Sequence, residues 1–383
     1  MANTNPIYTG LPTTIFEVMS MLAREHGAIN LGQGFPDTDG PEAVRRVAAT
    51  ALLEDSNQYP PMLGLPELRQ AVAAANQRFH GIAVDWKTEI LVTSGATEAL
   101  SDCMAALLTP GDEVVLFEPL YDCYLPLVRR AGGVPKLVRL SPPEWKLDLA
   151  ALEAAFSPRT KAVLLNNPMN PAAKVFSAAE LEAIAALVVR HDAIAICDEV
   201  YEHIVFSGHR HLPLMQFPGM DERTVRIGSA GKTLSLTGWK VGYVTARPAL
   251  LEPIAKAHQF TTFTTPPNLQ KAVAFGLNQD DSYFVGLASD LERKRDRFSA
   301  DLGRLGFSVV PAAGTYFVVA DISGRTTEDD VSFCRRMTIE AGVAAVPLSA
   351  FYDAGGPTNF IRFCFSKRDE VLDEAIARLA RWK

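Results

Sequence analysis

A lysine set among small and apolar residues carries the strongest chemical signal in this sequence. Lys232 lies in the segment Ser229-Ala-Gly-Lys-Thr-Leu-Ser-Leu-Thr-Gly-Trp-Lys-Val-Gly-Tyr243, which follows the strand-like run Thr224–Ile227. Removal from water disfavours an ammonium ion, so a lysine in such a setting offers an amine that can attack a carbonyl carbon. The small neighbours leave room for a flat ring. The alternative is a turn lysine that points into solvent, the commoner state of an isolated Ser-x-x-Lys.

A second signal is a turn with features of an anion site. Residues 90–99 read as a strand, a small-residue turn and the start of a helix. The free N–H groups and the dipole of a helix start attract a phosphate, although an ordinary capped helix is the commoner explanation of such a segment. The residues available to one phosphate are Gly95, Ala96, Thr97, Ser229 and Lys240.

An aspartate ends the most apolar strand-like run of the chain, in Cys197-Asp-Glu-Val-Tyr201. A carboxylate in such a position is costly unless it meets a donor or a cation. Asp198 is therefore either a paired structural residue or a carboxylate that holds a protonated ring nitrogen. In the second case Tyr201 offers its hydroxyl to the opposite edge of the ring.

Three further segments carry groups that suit a small polar ligand. The turn Asn166-Asn-Pro-Met-Asn-Pro171 follows another strand end, and Asn166 or Asn170 can donate an amide hydrogen bond there. Tyr121 can stack on a flat heterocycle or simply pack in the core. Arg362 is the only charge in Phe360–Phe365, so it either faces water on an edge strand or binds a carboxylate through both nitrogens.

Composition limits the class of protein. The chain has 383 residues, 48% of them hydrophobic and 21% charged, as in globular proteins with more than one core. A net charge of −7 argues against a nucleic-acid partner. The five cysteines form no Cys-x-x-Cys, so we expect neither disulfides nor a metal site, but reduced thiols in the cytoplasm. No apolar run reaches membrane-spanning length, and we expect no membrane partner.

Helices and buried strands alternate through the first three quarters of the chain. A Ser177–Glu180 capping box marks one helix start. Apolar periodicity predicts helices over Glu42–Glu54, Pro66–Phe79, Thr97–Leu107, Ala178–Arg190 and Ala249–His258. Continuous apolar runs predict strands buried on both faces at Ile90–Thr93, Glu113–Phe117, Lys161–Leu165, Ala193–Cys197 and Val241–Val244.

The pattern changes near residue 280. A long charged helix, Tyr283–Leu305, leads to the short strand-like runs Ser308–Val310, Thr315–Val319, Ala344–Val346 and Phe360–Phe365 and a last helix from about Asp369. The sequence thus predicts an α/β protein with a mostly parallel sheet in a large domain, 41–280, and a smaller α+β domain, 281–383. An arm, 1–40, contributes to the small domain and to the site at the carboxyl ends of the strands.

With these residues in view, the chain resembles class I aminotransferases that depend on pyridoxal 5′-phosphate (PLP) and have fold type I. The blocks LGQGFPD, NQYPP, TSGATEA, EPLYDCY, NNPMNP, CDEVYEH, SAGKTLSLTGWKVGY and RFCF occur in the family's order, and the similarity runs from about residue 14 to the end. The subgroup resembled comprises kynurenine/glutamine, methionine and N-succinyldiaminopimelate aminotransferases.

The resemblance implies a role for each residue around the cofactor ring. Lys232 forms the internal aldimine with PLP, and Asp198 pairs with the pyridinium nitrogen. Tyr201 and Asn170 bond the phenolic oxygen of the ring, and Tyr121 stacks on it. Lys232, Asp198 and Tyr201 are thus the implied catalytic residues.

The resemblance also implies how the phosphate and the substrate bind. The phosphate is held by Ala96, Thr97, Ser229 and Lys240, with the backbone at Gly95, and by Tyr59 from a second subunit, so the active unit is a homodimer. Arg362 binds the substrate α-carboxylate with Asn170 and the backbone at Gly34. The family usually has glycine in the turn where this chain has Ala172-Ala173, so we expect a reshaped turn.

The amino donor stays open at this point. Phe16, Phe263 and Tyr121 suggest an apolar pocket, which favours methionine, glutamine, leucine or aromatic donors over aspartate, with a 2-oxo acid as acceptor in a ping-pong cycle. Alternatives at the same site are N-succinyldiaminopimelate as donor and β-elimination from cysteine conjugates. A non-enzymatic regulator with this fold needs a DNA-binding module, and the segment before Gly32 is too short for one.

Overall fold

Thirteen strands lie within residues 4–382, the part of the chain that this computed structural model describes. The predictions that touch residues 1–3 of the arm fall outside it. In chain order the strands are β1 (Ile29–Asn30), β2 (Ile90–Thr93), β3 (Glu113–Glu118), β4 (Val134–Arg139), β5 (Thr160–Asn166), β6 (Ile194–Asp198), β7 (Thr224–Ser229), β8 (Gly242–Thr245), β9 (Ser308–Val309), β10 (Phe317–Asp321), β11 (Val343–Ala344), β12 (Val346–Pro347) and β13 (Phe360–Cys364).

The α-helices connect and cover these strands. Within the same residues they are α1 (Pro6–Thr9), α2 (Ile15–Glu25), α3 (Glu42–Glu54), α4 (Pro66–Ala75), α5 (Ala96–Leu107), α6 (Tyr124–Arg130), α7 (Leu149–Ala154), α8 (Ala178–Arg190), α9 (Ala230–Thr233), α10 (Pro248–Thr261), α11 (Pro267–Leu277), α12 (Asp281–Arg304), α13 (Asp330–Arg336) and α14 (Asp369–Arg381). None of these helices is both long and apolar enough to cross a membrane.

The central sheet has seven strands in the order β2-β8-β7-β6-β5-β3-β4. Strand β8 pairs antiparallel with β2 and β7, and the pairs from β7 to β4 are parallel. Every residue of β2, β3 and β8 is buried. Strands covered on both faces need apolar residues at successive positions, which explains their continuous apolar runs. The predicted α/β fold with a mostly parallel sheet is confirmed.

One edge of this sheet gathers the polar residues that follow the strands. Asp198 is the last residue of β6, Asn166 ends β5 and Ser229 ends β7. Because these strands are parallel, their carboxyl ends point the same way and bring the three side chains to one edge. Two residues separate the end of β2 from the start of α5, which lies at the same edge.

The C-terminal part forms a second, antiparallel sheet in the order β12-β13-β10-β9. Strand β1 of the N-terminal arm pairs with β11, Ile29 opposite Val343, so the arm is attached to the C-terminal part. The predicted long helix is α12, which packs against α14 and β9. The division at residues 41 and 281 stays a prediction.

Some predicted elements differ from the structure. The helix predicted over Pro66–Phe79 ends at Ala75 and continues as a π-helical turn, Asn76–His80. The run predicted as one strand over Ala344–Val346 is split between β11 and β12, which belong to different sheets. Strand β4 was not predicted, because it is an edge strand of mixed polarity, Val-Pro-Lys-Leu-Val-Arg.

The turn at Ala173 keeps a geometry suited to glycine. Ala173 has φ of 56°, its N–H donates to the Met169 carbonyl at 2.8 Å, and its side chain is buried. A left-handed conformation costs an alanine about 1 kcal/mol. The chain therefore holds this alanine in a strained conformation, and the surrounding packing supports it.

Candidate active site

A cavity of about 350 Å³ opens at the edge of the central sheet described above. Its walls come from the ends of β5, β6 and β7, from the start of α5 and from the C-terminal part. The sequence-predicted residues that line it are Phe16, Gly34, Gly95, Ala96, Thr97, Tyr121, Asn170, Asp198, Tyr201, Ser229, Lys232, Lys240 and Arg362.

Lys232 presents its amine to this cavity from α9, the short helix that follows β7. Its Nζ donates to the hydroxyl of Tyr316 at 2.9 Å and to the Gly34 carbonyl at 3.3 Å. The Tyr316 hydroxyl in turn donates to the same carbonyl at 2.7 Å. Burial lowers the pKa of Lys232 to about 8, and the nearby Cys364 and Asp198 offset this effect only in part. A substantial fraction of the amine is therefore neutral near pH 8.

Asp198 lies at the floor of the cavity with neutral donors only. The Tyr124 hydroxyl donates to Oδ2 at 2.7 Å, and the Val200 N–H approaches Oδ1 at 3.4 Å. Burial raises the pKa of Asp198, and the bond from Tyr124 opposes this. A buried carboxylate with free acceptor capacity is well suited to a ligand that brings its own N–H or positive charge.

Close backbone contacts shape the side of the cavity beside the start of α5. Gly95 has φ of 83° and precedes α5. A Cβ on Gly95 would lie 3.4 Å from the Lys240 amine, and a Cβ on Gly242 would lie 2.7 Å from the Gly95 carbonyl carbon. The start of α5 can approach β8 this closely because Gly242 has no Cβ. Free N–H groups of α5 and the Lys240 amine thus converge on one small volume, as an anion site requires.

Arg362 projects into the cavity from β13 and is 1% exposed. Its two terminal nitrogens donate to the Asn170 side-chain oxygen and to the Gly32 carbonyl, each at 2.7 Å. Its guanidinium lies 4.0 Å above the ring of Phe317. Burial lowers the pKa of Arg362 to about 10, so it stays charged at neutral pH. Within residues 4–382 no carboxylate pairs with it, and it is oriented for a carboxylate ligand.

The remaining two predicted site residues, Tyr59 and Phe263, lie away from this wall. Tyr59 is 84% exposed and Phe263 is 38% exposed. Their rings contact each other edge to face, with centroids 5.5 Å apart. Phe260, 87% exposed, lies three residues before Phe263. We call Tyr59, Phe263 and the neighbouring Phe260 the exposed aromatic patch.

Comparison with known proteins gives a consistent result. The family model for aminotransferase classes I and II matches residues 26–379. The chain is 44% identical to a probable N-succinyldiaminopimelate aminotransferase of Mycobacterium tuberculosis over 96% of each chain. It is 42% identical to the methionine aminotransferase of Escherichia coli, also over 96% of each. The solved structure from M. tuberculosis described as N-succinyldiaminopimelate aminotransferase superimposes with a TM-score of 0.96, 44% identity and 99% coverage of each chain.

The chain belongs to the class I and II aminotransferase family. It is an enzyme, an aminotransferase, as the blocks around Lys232 and Arg362 predicted.

Sequence reasoning missed two tyrosines of this aminotransferase. Tyr124 bonds Asp198, and it lies in the block EPLYDCY that supplied Tyr121, so a signal for it was present. Tyr316 bonds Lys232 across 84 residues of sequence. It lies in the C-terminal part, and no local pattern marks this tyrosine as a site residue. Tyr316 is also in edge-to-face contact with Tyr201, at 5.2 Å between centroids.

We predict that Lys232 of the cofactor-free aminotransferase titrates near pH 8, because burial outweighs every nearby negative charge. The measurement is an NMR pH titration of the protein with ¹³C-labelled lysine side chains, in which the Lys232 signal is identified by its loss in Lys232→Ala. A titration midpoint above pH 10 would show that the amine is not desolvated as described.

Proposed function

We propose that this aminotransferase uses PLP to move an amino group from an L-amino acid with a neutral side chain to a 2-oxo acid, in a ping-pong cycle. The observation that carries the proposal is the placing of three unpaired charged groups in one cavity: the Lys232 amine, the Asp198 carboxylate and the Arg362 guanidinium. An aldehyde, a protonated ring nitrogen and a substrate carboxylate are the respective partners that such groups accept.

The residues present suit the separate parts of PLP. The Lys232 amine fits the aldehyde, and the unpaired acceptor capacity of Asp198 fits a protonated ring nitrogen. The convergence of the start of α5 with Lys240 fits the phosphate. Tyr121 supplies an aromatic face on the cavity wall beside Asp198.

The chain's own residues then position the substrate and move its proton. Bound PLP supplies an electron sink for the electron pair left when the Cα–H bond breaks. Arg362 binds the α-carboxylate and fixes the orientation of Cα. The Lys232 amine acts as general base at the Cα proton, and its lowered pKa suits that task near neutral pH. Burial raises the pKa of Tyr201, so its hydroxyl keeps its proton and donates to the ring's phenolic oxygen together with Asn170.

The charges of the cavity favour a neutral donor side chain. Lys232, Lys240 and Arg362 are the cations on the described wall, and each has a partner in this scheme. The carboxylate of Asp122 lies on the same wall and repels an acidic side chain. Phe16, which lies 5.6 Å from Phe351, adds apolar surface. Methionine, glutamine, leucine and aromatic amino acids are the donors that fit.

N-succinyldiaminopimelate is the second candidate donor, because a relative with 44% identity bears that name. Its distal carboxylate needs a hydrogen-bond donor, and the amide of Gln33 on the wall can supply one. β-Elimination from cysteine conjugates uses the same groups and fits as a side activity.

We further propose that the working unit is a homodimer in which Tyr59 contacts the cofactor phosphate of the partner subunit. The exposed aromatic patch supports this, because large rings that are 38–87% exposed mark an interaction surface. The five cysteines all have free thiols, which supports a cytoplasmic location.

Lys232→Ala should lower turnover by about 10³-fold or more, since it removes both the covalent attachment and the general base. PLP should still bind, without a covalent link. The measurement is steady-state transamination beside PLP binding by absorbance. Lys240→Ala is the matched control: it should weaken PLP binding but keep turnover at saturating PLP. Near wild-type turnover in Lys232→Ala contradicts the assignment of the base.

A panel of amino donors with pyruvate and 2-oxoglutarate as acceptors separates the two substrate proposals. We expect methionine, glutamine and aromatic donors to react faster than aspartate and glutamate, because the wall holds Asp122 and no uncommitted cation. If N-succinyldiaminopimelate has the highest kcat/KM of the panel, the second candidate is correct. A preference for aspartate would contradict both.

Mixing Lys232→Ala, which lacks turnover, with Tyr59→Ala, which binds PLP weakly, tests the shared site. A dimer of Lys232→Ala with Tyr59→Ala has one site with intact Lys232 and intact Tyr59 if Tyr59 acts across the interface. Activity at limiting PLP should therefore rise on mixing toward half of the wild-type value per heterodimer. If Tyr59 serves its own subunit, no intact site forms and mixing restores nothing.

A further inference from the structure

A buried histidine outside the cavity connects the phosphate-binding helix to the exposed aromatic patch. His258 lies on α10, is 0% exposed, and does not line the cavity. Its Nδ1 is 2.7 Å from Oε1 of Glu98, in the first turn of α5. Its Nε2 is 3.2 Å from the carbonyl oxygen of Met62, three residues after Tyr59. The cluster has no role in the mechanism proposed above.

Both ring nitrogens of His258 therefore face oxygen acceptors. A carbonyl oxygen only accepts, so Nε2 must carry a proton to bond Met62. A carboxylate also only accepts, so Nδ1 must carry a proton to bond Glu98 in its ionised form. A ring with two N–H groups is an imidazolium. Both contacts are made together only when the Glu98–His258 pair holds both protons.

The surrounding charges favour this state. Oδ2 of Asp102 lies 3.8 Å from Nδ1 of His258 and has no hydrogen-bond partner among the described residues, while Oδ1 accepts from Thr261 at 2.9 Å. The cation packed nearby, Arg130 of α6, bonds Ser101 of α5 rather than either carboxylate. Two carboxylates of α5 thus face one imidazole.

The same histidine orders two chain segments. The backbone carbonyl of His258 accepts from the N–H groups of Thr262 and Phe263, each at 3.0 Å. These bonds begin the segment in which Phe263 has φ of 69° and its ring meets Tyr59. On the other side, Glu98 accepts from the backbone N–H of Ser94, in the turn before α5.

We propose that His258, as an imidazolium, is a positioning residue that ties the phosphate-binding start of α5 to the two segments that carry Tyr59 and Phe263. Each subunit's own phosphate site is thereby connected to the aromatic residues that it offers to its partner. The consequence for the partner rests on the proposed function, whereas the contacts themselves do not.

The arrangement depends on pH in one direction. Burial is the largest single effect and opposes the positive charge, but the bond to Glu98, the charges of Glu98 and Asp102 and the Met62 carbonyl together outweigh it and raise the pKa of His258 above its usual value of 6.5. The stabilisation that protonated His258 gives to the folded state is complete below pH 6.5. It is lost as pH rises through the pKa that His258 has in the folded state. A neutral ring keeps its proton beside Glu98, so Nε2 then faces the Met62 carbonyl with no proton to donate. The Tyr59 segment is released first. Burial and Glu98 raise the pKa of Asp102 to about 6, so its negative charge is present above that pH, where His258 loses its proton.

The test uses the cofactor-free protein, so that it stays independent of PLP. Amide hydrogen exchange of residues 58–64, corrected for the intrinsic pH dependence, should accelerate about tenfold above the His258 pKa, as expected for the loss of one charged hydrogen bond. His258→Gln should show the fast rate at every pH. Asp102→Asn should move the midpoint to lower pH. His26→Gln, at an exposed position after α2, is the control and should match the wild type.

A second measurement needs no variant that could fail to fold. In ¹⁵N NMR of the wild-type protein, both His258 nitrogens should have the shifts of protonated nitrogens at pH 6.5 and change together with the exchange rate of residues 58–64. A neutral His258 at pH 6.5, or a pH-independent exchange rate with His258 protonated, would overturn the proposal. A third outcome is that His258 is protonated at pH 6.5 with an exchange rate that follows its titration, while mixing Lys232→Ala with Tyr59→Ala restores no activity. In that case the proposal of a shared site is wrong, and the positioning role of His258 remains.

Discussion

The burial of three charges without ion-pair partners is the constraint on which this structure depends. Lys232, Asp198 and Arg362 all face one cavity, and neutral groups hold each of them: the hydroxyl of Tyr316 for the amine, the hydroxyl of Tyr124 for the carboxylate, and two oxygens for the guanidinium. Isolated charges are costly to bury, so a ligand with complementary groups stabilises this arrangement. The parallel strands bring the three groups to one edge of the sheet, and the packed core keeps them in place.

Local patterns predicted the elements that rest on local physics. The helix Ala178–Arg190 was predicted with correct bounds, because its capping box and its apolar periodicity are both written in consecutive residues. The helix Glu42–Glu54 and the strand Ile90–Thr93 were predicted as well. Strand β4 was not, since an edge strand with one covered face lacks a continuous apolar run. The π-helical turn after Ala75 depends on Gly81, which closes it in a left-handed conformation, and on contacts that periodicity does not express.

The candidate site divides in the same way. Sequence motifs predicted Asp198, Lys232 and Arg362 individually. They did not predict contacts between distant segments: Arg362 bonds Gly32 across 330 residues of sequence, and Lys232 bonds Tyr316 across 84. His258 had no motif, and only the packing of α10 against α5 reveals that its two nitrogens join separate segments. Only the structure shows that the exposed aromatic patch lies away from the cavity of its own chain.

The central claim is that the Lys232 amine carries the cofactor, and its most direct test is chemical trapping. The protein is incubated with PLP, reduced with borohydride, digested and analysed by mass spectrometry. The account predicts a pyridoxyl-phosphate adduct on the peptide that contains Lys232, with its modification at that residue. An adduct at Lys240 alone, or no adduct under conditions where PLP is in excess, would contradict it.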